Sequence, residues 1–483
     1  MMMFIFILYL AVVIGLAVWS AMRSKTNDDF ILGGRKLSGT ALALSERSTG
    51  ESAWLLLGLT GEAYLIGMES IWVAIGCVAG ILFIWIVMSG RLRSESARTG
   101  ALTIPSLLSR RFPGTARPIG ILSAVIVIFF FLFYIAAQFK GAGAVFEKTF
   151  GLSPVWGMII GSLVVIIYTS FGGFMAVVAT DVFQSVLMIF TLIILPVLLL
   201  FFMASHHIDF VGGMNAIGDG YGSVTHAMAG GTLGLAIING LCWAFGYTGQ
   251  PQLLSRMMAL RNQADVKRAI WVAAVWTVVA YCGAILIGIA GRVIVHSGQI
   301  PALSESMKDA EQILPALTMV LVNPLLAGIL LSGVVSAMMS TASSELIICS
   351  SAMSEDIYRP LSSKVKADRK MIRINKILTL GVGLLAFILV FLMPDTIFRL
   401  VSYSWAGIGA AFGPALLLML FWKRFSRAGV FASLIAGSLG AVLWKEFVYP
   451  STRISEIFGS FLISFVMAVL FSLLLPEKKH ADI

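Results

Sequence analysis

A chain of 483 residues with 59% apolar and only 12% charged residues has too little polar surface for a water-soluble globule; soluble domains carry roughly 45–50% apolar and about 25% charged residues. The mean hydropathy of +0.95 points to lipid as the solvent. The net charge of +10 then concerns which side of the bilayer holds it, not a nucleic-acid partner. Four cysteines, Cys77, Cys242, Cys282 and Cys349, stand in apolar runs. They lack disulfide or metal spacing and read as small core residues.

A membrane-spanning helix needs about 20 mostly apolar residues. Taken in chain order, the apolar runs predict thirteen spans, near 3–22, 40–60, 64–89, 119–147, 153–171, 179–204, 231–255, 269–297, 324–350, 374–393, 396–421, 428–446 and 456–475. The first run is followed, not preceded, by basic residues (Arg23 and Lys25). It therefore reads as a retained span with its N-terminus outside, not as a signal peptide. Alternate loops then collect Lys and Arg: Arg23 to Lys36, Arg91 to Arg117, Arg256 to Arg268, Arg359 to Lys376 (Lys364 and Lys366 among them), Lys423 to Arg427, and Lys478 with Lys479. The outer loops keep Lys148, Arg292, Lys308, Arg399, Lys445 and Arg453. This is the positive-inside pattern, and an odd number of spans leaves the C-terminus in the cytoplasm. The expected fold is an all-α integral membrane protein of the cell (inner) membrane, a single transmembrane domain over 1–483. His206, His207, His226, His296 and His480 lie in loops or near ends. No nucleotide loop or H-E-x-x-H motif is present, so nothing points to an enzyme.

The informative places are those where lipid logic is broken. A charge within a span costs about 2.5–3.5 kcal/mol on insertion scales and marks function by default. The second span holds Glu46, Arg47 and Glu51 among Ser45, Ser48, Thr49, Gly50 and Ser52. A continuous lipid-facing helix does not tolerate this run; a broken helix lining a cavity does. The plainer reading is a local salt bridge from Arg47 to Glu51 or Glu46. The seventh span is interrupted by Gly246, Gly249 and Pro251. Two broken spans, five apart, predict an inverted-repeat transporter with its site at mid-depth, where free carbonyls hold a cation and half-helix N–H groups hold a carboxylate. In the ninth span Ala337, Ser340, Thr341 and Ser344 share one helical face. Such an oxygen-rich face suits a hard cation, although serines also serve helix packing. Asp181 opens the sixth span, as a helix N-terminal acid or as an ion ligand. Lys140 lies inside the fourth span, and Glu51 or Glu46 is its expected partner; the alternative is snorkelling to the outer interface.

These pieces resemble the sodium/solute symporter family, and within it the bacterial sodium/proline branch. The residues that carry the resemblance run over nearly the whole chain: Asp28 to Arg35, Trp54 to Leu59, Gly172 to Val177, Gly246 to Pro251, Ser340-Thr341, Ser354 to Asp356 and Leu400 to Gly407. The resemblance implies a five-plus-five inverted repeat, here about 40–204 and 231–421, with one helix before and two after. It implies alternating-access symport, coupling inward sodium movement to uptake of a small zwitterionic solute, L-proline first. Its sodium site falls on the Ser48 and Glu51 carbonyls, the Ala337 carbonyl, and the Ser340 and Thr341 hydroxyls. A second sodium, present in some relatives, falls on Asp181, Ser340, Ser343 and Ser344. Tyr134, Trp243, Tyr247 and Pro251 match positions tied to proline, and Ser52 and Trp54 at the interruption complete the expected substrate pocket. This chain departs from that branch at Gly50, where an aspartate is expected, and at Glu51, where a methionine is expected. The Glu46-Arg47 pair is a further departure. Glu51 therefore leaves open a proton-coupled symporter, or one for another amino acid or carboxylate. A passive channel and a sensor are further alternatives. The expected partners are the small solute and the lipid bilayer, with no nucleic acid and no obligate protein partner.

Overall fold

The computed structural model describes residues 1–225, 232–300, 306–362, 367–393 and 395–477. Lys364, Lys366, Lys478, Lys479, His226 and His480 lie outside these residues. Among the described residues, ten helical stretches are long and apolar enough to cross a membrane. The first is α1 (Met2–Ala21). The second stretch, 61 residues from Gly39 to Thr99, contains α2 (Gly39–Ala53), α3 (Thr60–Ile66) and α4 (Ile71–Phe83). Next come α5 (Ala116–Phe150) and α6 (Pro154–Ser205).

Straight, the 52 residues of α6 would measure roughly 78 Å, more than twice the ~30 Å hydrocarbon core. Gly173 breaks it, at φ 63° and ψ −164°. No other residue suits this position, because a Cβ there would stand 2.6 Å from the Phe30 ring. Gly67, at φ 63°, interrupts the 61-residue stretch between α3 and α4 in the same way. Each of these two stretches thus covers two of the predicted spans. The predicted span 231–255 falls instead into three short pieces, α7 (Leu233–Leu241), α8 (Trp243–Tyr247) and α9 (Pro251–Met258). The chain continues through α10 (Ala264–His296), α11 (Pro324–Ser351), α12 (Asp368–Leu392), α13 (Ile397–Phe421), α14 (Arg427–Leu443) and α15 (Glu456–Leu474).

Enclosure ranks the helices. The most apolar window of the α11 stretch is 83% buried, against 22% for α1 and 33% for α12. The hydroxyl-rich helix is thus the central one, and α1 and α12 are peripheral. Large apolar side chains such as Phe201, Trp271 and Phe447 point outward, which suits lipid, since lipid tails are as apolar as leucine. Of the cysteines, Cys77, Cys242 and Cys349 are buried, but Cys282 is exposed on α10 and is not a core residue.

The predicted inner loops meet at one end of the molecule. Arg35 donates to the carbonyls of Ser96 and Ala101, Arg93 to that of Arg261, and Arg91 to that of Leu420. A cavity of about 680 Å3 lined by Glu62, Glu69, Asp395, Glu446 and Trp243 draws on the predicted outer loops.

Candidate functional site

The first interruption lies at the end of the charged run, not within it. α2 remains helical through Glu51 and breaks at Ser52, at φ 51° and ψ −172°. The N–H groups freed there are taken up locally. The Ala53 N–H donates to Gln138 Oε1 of α5 (2.9 Å), and the Trp54 N–H donates to Ser52 Oγ (3.0 Å). Tyr134, one turn before Gln138, donates its hydroxyl to the same Ser52 Oγ (3.3 Å). Beyond the break, Trp54–Leu59 is a π-helical segment.

The second interruption covers 248–250, between α8 and α9. Pro251 opens α9 at its first turn, where its missing N–H costs nothing. Gln250 Nε2 donates to the Trp405 carbonyl of α13 (3.2 Å). A Cβ on Gly249 would stand 2.6 Å from Gly413 N and 2.7 Å from Gly409 O. The glycine therefore lets α13 press against the break.

Between the two interruptions sits an aromatic cluster. The Trp54 and Trp243 rings lie 4.3 Å apart, Tyr247 and Trp405 4.7 Å, and Tyr134 and Trp405 6.4 Å. All five are buried, and Trp243 also lines the cavity that draws on the predicted outer loops. Several polar atoms in this region are buried and have no hydrogen-bond partner among the described residues: Trp54 Nε1, Trp405 Nε1, Gln138 Nε2 and Glu51 Oε2. Leaving such a group unpaired costs about 1–3 kcal/mol, so these atoms are free to pair with water or a solute.

A second cluster forms where α2, α6 and α11 cross. The Thr341 hydroxyl donates to the Thr49 carbonyl (2.7 Å), and the Ser340 hydroxyl donates to Asp181 Oδ1 (2.7 Å). Asp181 Oδ2 accepts from Ser45 (2.6 Å) and Thr49 (3.3 Å). Ala337 is buried one turn before Thr341. Ser48 faces elsewhere, its hydroxyl 3.3 Å from Met188 Sδ. Ser343 also stays apart, donating to the Ser340 carbonyl within its own helix (2.9 Å). Asp181 and Ser344 do converge, but on a guanidinium: Arg256 Nη2 donates to Asp181 Oδ2 (3.1 Å), to Thr49 Oγ1 (3.1 Å) and to Ser344 Oγ, and Ser340 is linked to it only through Asp181. The sequence places Arg256 in an inner loop. It is instead fully buried on α9, because Pro251 restarts the helix and carries Gln252 and Arg256, one turn apart, into the interior.

The charges of α2 form a group of their own, with Glu51 Oε2 left unpaired among the described residues. Arg47 Nη1 donates to Glu51 Oε1 (2.6 Å) and to Thr277 of α10 (3.2 Å), while Nε donates to Glu46 Oε2 (2.6 Å) and Nη2 to Glu46 Oε1. Trp85 Nε1 donates to Glu46 Oε2 (2.9 Å). Arg47 thus bridges both acids, not one of them. The expected pairing of Lys140 with Glu51 or Glu46 is wrong. Its Nζ donates to the carbonyls of Met393 (3.3 Å) and Asp395, and Met393 caps α12. The last carbonyls of a helix attract a cation, and the long lysine stem lets the ammonium leave the apolar interior.

Thr49, Gln138, Arg256, Thr277 and Trp405 escaped the sequence reading as site residues. A signal existed for two of them: Gln138 lies one turn from Tyr134, and Trp405 falls within the recognisable run Leu400 to Gly407.

Two facing interrupted helices, an aromatic cluster between them and a hydroxyl-rich third helix define a broken-helix membrane transporter. The family model for the sodium:solute symporter family matches residues 30–437. The chain belongs to that family. It is 35% identical over 478 residues to the sodium/proline symporter of Escherichia coli (strain K12), covering 96% of this chain and 90% of that one. It is 32% identical over 467 residues to the osmoregulated proline transporter of Bacillus subtilis (strain 168), covering 96% and 93%. Among solved structures it is similar in fold to a substrate-bound, outward-open Na+-coupled sialic acid symporter, with a TM-score of 0.80, 18% identity and 99% of each chain covered.

Proposed function

We propose that this chain is a secondary active symporter that carries L-proline inward together with sodium by alternating access, and performs no covalent chemistry. Both named relatives are proline transporters. The observation that carries the reading is the set of unpartnered buried polar atoms between the two interruptions. Three of them are N–H donors, on Trp54, Gln138 and Trp405, and one is an acceptor, on Glu51. A zwitterion with one carboxylate and one amine complements such a set. The flat rings of Trp54, Tyr134, Trp243, Tyr247 and Trp405 suit a compact apolar ring between them. Ser52 and Pro251 shape the two backbone breaks that let the solute approach the chain closely.

Sodium is the second substrate. Its proposed place is the crossing of α2 and α11, with the carbonyls of Ser48, Glu51 and Ala337 and the hydroxyls of Ser340 and Thr341. This donor set is all oxygen, as a hard cation requires. The Thr341 hydroxyl already spans the crossing to the Thr49 carbonyl. The Ser340 hydroxyl links it to Asp181. We place the basic loops in the cytoplasm, the cavity beside Trp243 outside, and the two inverted repeats at about 40–204 and 231–421.

The test is an uptake panel of radiolabelled amino acids into proteoliposomes, with and without an inward sodium gradient at fixed pH. Sodium-dependent accumulation of proline above the other solutes is expected. Full uptake without sodium, or flux that neither saturates nor accumulates, would reject the proposal.

A further inference from the structure

The cluster around Asp181 has the oxygens a second sodium ion would need, yet these residues do not fit a second ion. Asp181 is fully buried, and both its oxygens are engaged, Oδ1 by Ser340 and Oδ2 by Ser45, Thr49 and Arg256. The Arg256 guanidinium is equally enclosed, with 1% of its side chain exposed. Its Nε donates to Ser45 Oγ (3.2 Å), and its Nη1 to the Gln252 carbonyl (2.7 Å) and Ser255 Oγ (3.4 Å). Its Nη2 takes Asp181, Thr49 and Ser344. Of the residues that would hold a second ion, Ser344 accepts from this side chain, Asp181 is the carboxylate it neutralises, Ser340 spends its hydroxyl proton on that carboxylate, and Ser343 lies apart. One acid and one base make the cluster electrically neutral. A sodium ion added about 4 Å from the guanidinium meets like-charge repulsion. At an effective dielectric of about 20, the guanidinium offsets the carboxylate's attraction and weakens binding on the order of a thousandfold relative to the same cluster without it.

We propose that Arg256 is a tethered cation that takes the place of a second sodium, so that this symporter binds one sodium ion per chain. The guanidinium reaches in from α9, the half-helix after the second interruption, and joins it to α2, α6 and α11. A diffusing ion would have to be captured in each cycle to make those same links; here the chain supplies the charge. The consequence is energetic. One sodium carries one charge and one concentration gradient per solute, which at 100 mV and a tenfold gradient supports roughly 500-fold accumulation. Two would support roughly the square of that.

The inference rests on the sodium-coupled reading above, and a direct count of bound ions separates the two. Equilibrium binding of radioactive sodium to the purified, detergent-solubilised protein, with proline present, should give one ion per chain. R256Q removes the charge while keeping an amide donor, and should bind two; R256K keeps the charge and should bind one. Two ions per unaltered chain, or still one in R256Q, overturns the tethered-cation assignment while leaving sodium coupling intact. No bound sodium in the unaltered protein overturns both. Should R256Q fail to fold, R256M supplies the neutral side chain, with two bound ions expected and one overturning the assignment.

Discussion

Thr341 and Ser340 are adjacent on α11 but their hydroxyls do different work, one reaching the Thr49 carbonyl and the other Asp181. Removing a hydroxyl of this kind costs about 1 kcal/mol of stability, whereas an ion that loses two of its few oxygen ligands loses far more. The double variant Ser340→Ala/Thr341→Ala is therefore expected to fold and to need at least tenfold more sodium for half-maximal uptake. A sodium titration of proline uptake, beside a thermal unfolding curve, checks this; an unchanged sodium requirement would remove the ion-site assignment. Trp243 is proposed for the other substrate, packing against Trp54 and lining the cavity that draws on the predicted outer loops. Truncating an aromatic anchor costs about 1.4–2 kcal/mol of binding, or about 10–30-fold in affinity. Trp243→Ala should raise the proline concentration for half-maximal uptake by that factor and leave the sodium requirement within about twofold. Equal shifts in both would place Trp243 in the coupling machinery instead.

At the scale of the element, backbone breaks decide the architecture. Gly173 divides α6 into two crossings at φ 63° and ψ −164°, a region essentially reserved for glycine that costs an L-residue about 1–3 kcal/mol. Its missing Cβ also makes room for the Phe30 ring. Gly173→Ala is expected to destabilise the purified protein by at least 2 kcal/mol, and thermal unfolding in detergent reads this directly. A midpoint equal to that of the unaltered protein would show that the break does not depend on glycine. Ser52 obeys a different logic. It adopts a positive φ without being glycine, and is held there by bonds from the Trp54 N–H and the Tyr134 hydroxyl. Strain at a non-glycine residue persists only where its surroundings over-determine it, and such positions cluster at functional sites.

At the scale of the whole molecule, stability acquires a pH dependence from outside the membrane-spanning segments. Glu311, in the loop between α10 and α11, accepts the backbone N–H groups of Phe398 (2.8 Å) and Ile397 (3.3 Å) at the start of α13. Burial pushes its carboxyl up to about 7, against those N–H groups and the Lys140 charge, which pull it down. A carboxyl raised in the folded state binds its proton more tightly there than in the unfolded chain. Its contribution to stability is complete below the unfolded value of about 4.3 and is lost as the pH rises through 7. The unfolding midpoint of the unaltered protein should therefore fall between pH 5 and pH 8 relative to Glu311→Gln, which has no proton to lose at this position. Parallel profiles for the two proteins would discard the assignment.

The sequence alone determined the solvent, the helical class and the presence of two interrupted spans. These follow from local chemistry: apolar runs of membrane length, glycines and a proline, and charges where lipid forbids them. It also determined family membership, through runs such as Gly246 to Pro251 and Leu400 to Gly407. Only the tertiary structure decided where each polar group finds its partner. Lys140 went to the carbonyls at the end of α12, Arg47 bridged two acids, and Arg256 left its expected loop for the Asp181 cluster. Gln138 appeared at the Ser52 break, and Ser343 turned back on its own helix. Such pairings depend on how separate helices rotate and cross. A buried charge settles with whichever group the packed core brings within about 3 Å, and spacing along the chain does not encode that.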